Sequence, residues 1–156
     1  MAITRPLTVS ERNWAMVAHL SSLAGLLGMP FGHVLGPLVV YLSKPEDSEF
    51  VESHARSSLN FQLTIFIFAL PLVLGAVVAW IVAIFASPGW HEARHHGYGS
   101  IVVPWFATGF VAIALLVAAI LIGSLILVVM GTVAAADGRP YRYPFAIPFF
   151  RDRPKS

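Results

Sequence analysis

Cysteine is missing from the chain altogether. That excludes disulfides, thiolate metal sites and thiol nucleophiles. Charge is almost as scarce, at 12% of 156 residues, against roughly a quarter in a soluble globular domain that must solvate its surface. Hydrophobic residues make up 57% and the mean hydropathy is +0.76, so lipid is the expected solvent for much of the surface. Although the pI is near 9.3, no basic stripe is dense enough to release phosphate counterions, and nucleic acid is not an expected partner. The chain has no G-x-S-x-G elbow, Walker loop or pair of carboxylates inside an apolar run; His91-Glu92-Ala93-Arg94-His95 spells H-E-x-x-H, but in a Gly-flanked stretch that reads as a solvated loop. These absences argue against an enzyme, and no metal or cofactor is expected. Residues 1–13 are mostly polar and lack an apolar core with a small-residue cleavage site, so no removable signal peptide is expected.

What is present is long apolar sequence. It falls into three blocks, Trp14 to Leu42, Leu59 to Ala86 and Ile101 to Ala136. About 20 helical residues cross roughly 30 Å of hydrocarbon, and unpaired backbone in lipid is costly, so each block should be helical. The first is interrupted at Gly28, Pro30, Gly36 and Pro37, which predicts a hairpin with a short return arm from Val34 to Leu42. Thr8 and Glu11 have capping-box spacing, placing the first helix at about Val9 to Leu27. The expected fold is an all-α integral membrane protein with four hydrophobic helical segments, a broken hairpin followed by two long transmembrane helices. A single helical domain would span 14–148, between the polar segment 1–13 and a basic tail, 149–156.

Orientation follows from Lys and Arg, which favour the cytoplasmic side. A hairpin places Arg5, Arg12, Lys44, Arg56, Arg139, Arg142, Arg151, Arg153 and Lys155 together and leaves Arg94 opposite. The expectation is a bacterial inner-membrane protein with both termini cytoplasmic.

Small residues repeat every four positions at Gly75, Ala79 and Ala83, and again at Ala119 and Gly123. Such stripes let helix backbones approach closely in lipid, so these should face each other or a neighbouring chain. At about 100° per residue, Ser53, Ser57, Asn60 and Thr64 form one polar row, and His54, Ser58 and Gln62 the next. An amide facing hydrocarbon is expensive, so these rows should point inward, as interhelical glue or as the lining of a path. His19 is embedded in the first helix, where Asn60 or Gln62 would be a natural mate. His33 sits in the Gly/Pro turn. His91, His95 and His96 have spacing that suits a helical metal site, but Gly97 and Gly99 disfavour a helix and the cluster reads as a solvated loop.

Several stretches together resemble a family of small bacterial membrane proteins similar to the chloroplast inner-envelope import subunit Tic-twenty. They are Trp14 to Leu20, Leu35 to Leu42, Phe50-Val51 with His54, Leu59 to Thr64, Gly138, and Tyr141-Arg142-Tyr143-Pro144. The resemblance runs from Trp14 to about Pro148 and implies four hydrophobic helical segments without supplying an activity. The leading expectation is a non-enzymatic interaction or scaffold protein linked to protein translocation or insertion. Its partners would be the lipid bilayer, further copies of itself or other membrane proteins. The alternative is an oligomeric channel or carrier for a small solute or ion, lined around Asn60.

Overall fold

The computed structural model describes residues 6–29, 31–43, 48–86 and 102–151. Pro30 of the expected break, the polar stretch 44–47, the His91/His95/His96 loop and the tail beyond Arg151 lie outside the described residues. So do the termini's outermost charges, Arg5, Arg153 and Lys155.

Within the described residues every regular element is helical. Helix α1 is Val9–Leu20, followed by a 3₁₀ segment, Ser21–Leu27; α2 is Gly32–Ser43, α3 is Glu49–Ala86, and α4 is Val102–Ala136. The two long ones contain 38 and 35 residues. Both are apolar and long enough to cross a membrane.

The start of α1 is fixed as its sequence indicates. The Glu11 amide donates to the Thr8 hydroxyl at 3.1 Å, and the Glu11 carboxylate accepts from the Thr8 amide at 2.8 Å. The same buried carboxylate accepts the Ser48 hydroxyl at 2.7 Å, tying the first turn of α1 to the entry of α3. A reciprocal cap of this kind satisfies orphan helix-end donors and contributes about 1 kcal/mol.

The hairpin differs from expectation in two respects. Beyond Leu20 the first helix tightens into 3₁₀ geometry instead of continuing as α-helix to Leu27. It ends at Gly28, whose φ of 81° is left-handed and suits a residue without Cβ. Gly36 and Pro37, by contrast, break nothing, because α2 runs through both. A Cβ at Gly36 would overlap the Ser21 carbonyl, so this glycine serves the close approach of α2 to the 3₁₀ segment. Helix α2, with 12 residues, is about 18 Å long at 1.5 Å per residue, well short of a 30 Å crossing.

Helix α4 ends in a Schellman motif. The Arg139 amide donates to the Ala134 carbonyl at 2.8 Å and the Gly138 amide to Ala135 at 3.0 Å, with Gly138 at φ 71°. Residues 139–151 then continue without regular structure.

The chain divides into two compact units. One comprises residues up to Phe66 with those from Ser124 onward, and the other is Ile67–Gly123. The first unit has the buried core: Ala15, Phe50 and Ala135 in one cluster, and Ala18, Val40, Val51 and Ala55 in another. In the second, close approach runs through Gly109, where a Cβ would overlap the Trp80 indole. Gly75, Ala79, Ala83, Ala119 and Gly123 are all exposed. A Cβ at Gly75 or Gly123 would meet nothing within 4 Å, so the two stripes do not face each other within this chain.

Candidate functional site

The first unit gathers the polar side chains of α3 against α1 and the segment after α4. His19 and His54 are fully buried, although they come from helices 35 positions apart. Nε2 of His19 lies 2.8 Å from Nδ1 of His54, the other nitrogen of His54 lies 3.1 Å from the Arg139 carbonyl oxygen, and Nδ1 of His19 lies 2.8 Å from the Tyr143 hydroxyl.

A carbonyl oxygen only accepts, so His54 must carry its proton on Nε2 and accept on Nδ1. His19 therefore donates from Nε2 and accepts the Tyr143 hydroxyl on Nδ1. The result is a directed chain, Tyr143 to His19 to His54 to the Arg139 carbonyl, in which both imidazoles are neutral. Tyr143 is stacked on Phe61 with centroids 4.2 Å apart and planes 7° apart. Burial, then the neighbouring Tyr141, push the Tyr143 phenol well above its ordinary value, while Ser58 opposes the shift. Burial also raises Tyr141. Gly131 completes the wall on the α4 side, where a Cβ would come 2.9 Å from His19 Nδ1.

The second part of the cluster holds backbone. Asn60 donates its amide to the Phe150 carbonyl at 3.0 Å and accepts the Phe150 amide at 2.9 Å. Thr64 donates to the Asn60 carbonyl at 2.7 Å and accepts the Ile147 amide at 2.9 Å. Arg56 donates to the Arg151 carbonyl at 3.2 Å and meets the Glu52 carboxylate at 3.3 Å. One row of α3, at i, i+4 and i+8, thus reads the main chain of residues 147–151.

His54, Asn60, Gln62 and Thr64 are buried and Ser57 partly so, but the partners differ from those expected. His19 pairs with His54 and Tyr143, not with Asn60 or Gln62, and the amide of Asn60 is occupied by the C-terminal segment. His33 lies apart, its ring 5.9 Å from Phe66. Sequence reasoning gave neither Tyr143 nor Ser48 a place in the cluster. The available signal for Tyr143 was its position just after the Gly138 helix stop, in a segment alternating aromatic residues with proline. Among the described residues no group of three or more His, Cys, Asp or Glu could hold a metal.

The family model for the magnetosome magnetite crystal formation proteins, MamF/MmsF, matches residues 10–150. The chain belongs to this family. That finding overturns the resemblance to Tic-twenty-like proteins: the stretches quoted for it lie inside the region matched by the MamF/MmsF family, and the translocation role it implied goes with it. Comparison with curated proteins and with solved structures gives no match to either. Both the His19–His54–Tyr143 chain and the Asn60 clamp fall within the part of the chain that the MamF/MmsF family covers.

Proposed function

We propose that this chain is a non-enzymatic membrane protein that takes part in magnetite crystal formation through interaction, with its two long helices held in a bacterial membrane. The family match over residues 10–150 carries the reading of magnetite formation. Membrane residence is supported by the length of α3 and α4 and by the apolar side chains they expose, among them Phe68, Leu72, Val78, Phe110, Leu115 and Ile122. In water such continuous apolar surface would drive aggregation, whereas in lipid it needs no partner.

Among the described residues, the buried histidines and the Asn60 and Thr64 side chains are engaged with neighbouring groups. His19, His54 and Tyr143 form a closed neutral chain, and Asn60 and Thr64 bond to backbone. This supports a structural role for the cluster over that of a channel lining. Two crossings by α3 and α4 would leave both termini on one side, and the Lys and Arg distribution favours the cytoplasm for that side. The hairpin would leave that parity unchanged, because α1 and α2, at 12 residues each, are both too short to cross. The exposed small-residue stripe at Gly75, Ala79 and Ala83 is the face offered to another helix.

Deleting the chain in a magnetite-forming bacterium and measuring crystal number and size by electron microscopy tests the reading. Altered crystals, restored by the full chain, are expected. Unchanged crystals, or recovery of the protein in the soluble fraction, would refute it.

A further inference from the structure

Two residues other than glycine have positive φ among those described, and both are phenylalanines: Phe31 at 57° and Phe145 at 63°. Each follows a proline in sequence. Each also lies inside a turn closed by a hydrogen bond from i+3 to i, Gly32 amide to Met29 carbonyl at 3.0 Å and Ala146 amide to Tyr143 carbonyl at 3.5 Å. The position after proline in such a turn, when φ is positive, is normally given to Gly or Asn, since Cβ is strained there. A bulky side chain at this place needs a reason.

Packing supplies none for Phe145 and only an edge contact with Phe66 for Phe31. Phe145 is 95% exposed and Phe31 58%. Strain kept at an exposed position points to a role for the side chain itself.

The two turns reach the same level of α3. The Phe31 ring lies 5.9 Å from that of Phe66. Ile147, two residues beyond Phe145, donates its amide to Thr64. The segment after α4 descends along α3 from His54, which meets Arg139, to Thr64, which meets Ile147, and returns to Asn60 and Arg56 at Phe150 and Arg151. Residues 144–147 are thus the turning point of the excursion.

At that level α3 changes character. Its polar row ends at Thr64, and from Ile67 its side chains are largely exposed and apolar. From Ile67 to Ala86 the helix would extend about 30 Å, the thickness of the hydrocarbon layer. Charge fits the same placement: Arg142 is exposed three residues before Phe145, whereas Arg139 pairs with Asp137 at 2.7 Å. No Asp or Glu occurs from Gly138 to Arg151 or from Asn13 to Ser43. Exposed aromatic tips in acid-free stretches, one of them beside Arg142, suit a lipid surface, not an aqueous one.

We propose that Phe31 and Phe145 are a two-point lipid wedge, inserting into the headgroup–acyl boundary where α3 enters the bilayer. This rests on the reading that α3 crosses a membrane, and the test separates the two. Because the chain has no cysteine, single nitroxide labels can be placed by Phe31→Cys, Phe145→Cys, Val78→Cys and Arg142→Cys in full-length protein. The protein is reconstituted in vesicles of phosphatidylcholine and phosphatidylglycerol, and each label's accessibility to oxygen and to a water-soluble nickel chelate is measured. Labels at 31 and 145 should favour oxygen, at a depth shallower than 78, with 142 favouring nickel. If 78 favours oxygen while 31 or 145 favours nickel, the wedge fails and the membrane reading stands. If 78 also favours nickel, both fail. A label at 31 or 145 shielded from both reagents indicates protein contact, from a second copy or a partner, and also overturns the wedge.

A second arm turns on opposite signs. Phe145→Gly relieves the positive φ, so thermal stability in detergent should hold or rise, while a nitroxide at Ala146→Cys should lose oxygen accessibility relative to nickel at least several-fold. Loss of stability with insertion unchanged would mean that Phe145 serves packing, and would sink the proposal.

Discussion

His19 and His54 meet nitrogen to nitrogen at 2.8 Å, with His19 donating. Direction is imposed from the far end, because the Arg139 carbonyl can only accept from His54. Every polar atom of the pair is therefore committed, and removal of either ring strands its neighbours. His19→Ala leaves both the Tyr143 hydroxyl and His54 Nδ1 without a partner in a buried site, each costing about 1–3 kcal/mol, besides the cavity. Adding His54→Ala should cost far less than the sum of the single changes. A double-mutant cycle by denaturant titration in micelles measures the coupling, expected at about 1–3 kcal/mol. Strict additivity would show that the bond contributes nothing.

Tyr143 separates stacking from hydrogen bonding. Tyr143→Phe keeps the ring on Phe61 and loses one donor, for about 1–2 kcal/mol, whereas Tyr143→Ala loses both and should cost about 3–5 kcal/mol. The phenol also sets an alkaline limit. Its folded pKa lies above the ordinary value of 10.0, so below pH 10 both folded and unfolded states are neutral and its contribution is complete. Above pH 10 the unfolded chain ionises first, and stability falls by up to about 1.4 kcal/mol per pH unit. Tyrosinate absorbance should rise together with loss of near-UV dichroism, and Tyr143→Phe should weaken that dependence.

The glycines divide by what a methyl group would meet. Gly36→Ala drives a Cβ into the Ser21 carbonyl and Gly131→Ala presses on the His19 ring, so each should destabilise by more than 2 kcal/mol, in the manner of an overpacked core. Gly75→Ala meets nothing and should stabilise the isolated chain by up to about 1 kcal/mol through helix propensity. If the stripe meets another helix, Gly75→Leu should leave the monomer's stability intact while weakening crosslinked oligomers in native membranes.

Much of the helical content was legible because its causes are local. Thr8 and Glu11 announce a cap within four residues, Gly28 a stop, and the apolar blocks their own length. Gly36 and Pro37 were misread for the same reason: locally they are breakers, and only the Ser21 carbonyl on a neighbouring segment explains why α2 needs a glycine there. The burial of Asn60 and His54 followed from the cost of polar groups in apolar surroundings. Their partners did not follow, since Arg139 and Phe150 approach from more than 80 positions away, at and beyond a Schellman turn that redirects the chain. Nothing in the spacing of His19 and His54 indicates that a helix bundle will set their rings edge to edge. Family membership was missed because motif fragments shared among small helical proteins of similar hydropathy constrain the fold more than the lineage.

The clamp formed by Asn60 provides the sharpest test of the C-terminal segment. Its amide imitates a β-bridge, giving one hydrogen bond to the Phe150 carbonyl and taking one from the Phe150 amide. Asn60→Asp keeps the size and the acceptor but replaces the donor with a second acceptor facing a carbonyl, so repulsion is added to a lost bond. Asn60→Leu removes both bonds and strands the two backbone groups. In either variant residues 147–151 should detach from α3, and amide exchange at Ile147 and Phe150 should accelerate by at least tenfold, the equivalent of about 1.4 kcal/mol of local stability. Exchange at His54 should change little, because that turn is held separately by His19 and the Arg139 carbonyl. If His54 and Ile147 accelerate together, the two halves of the cluster open as one cooperative unit, and the separation drawn between the histidine chain and the backbone clamp is wrong.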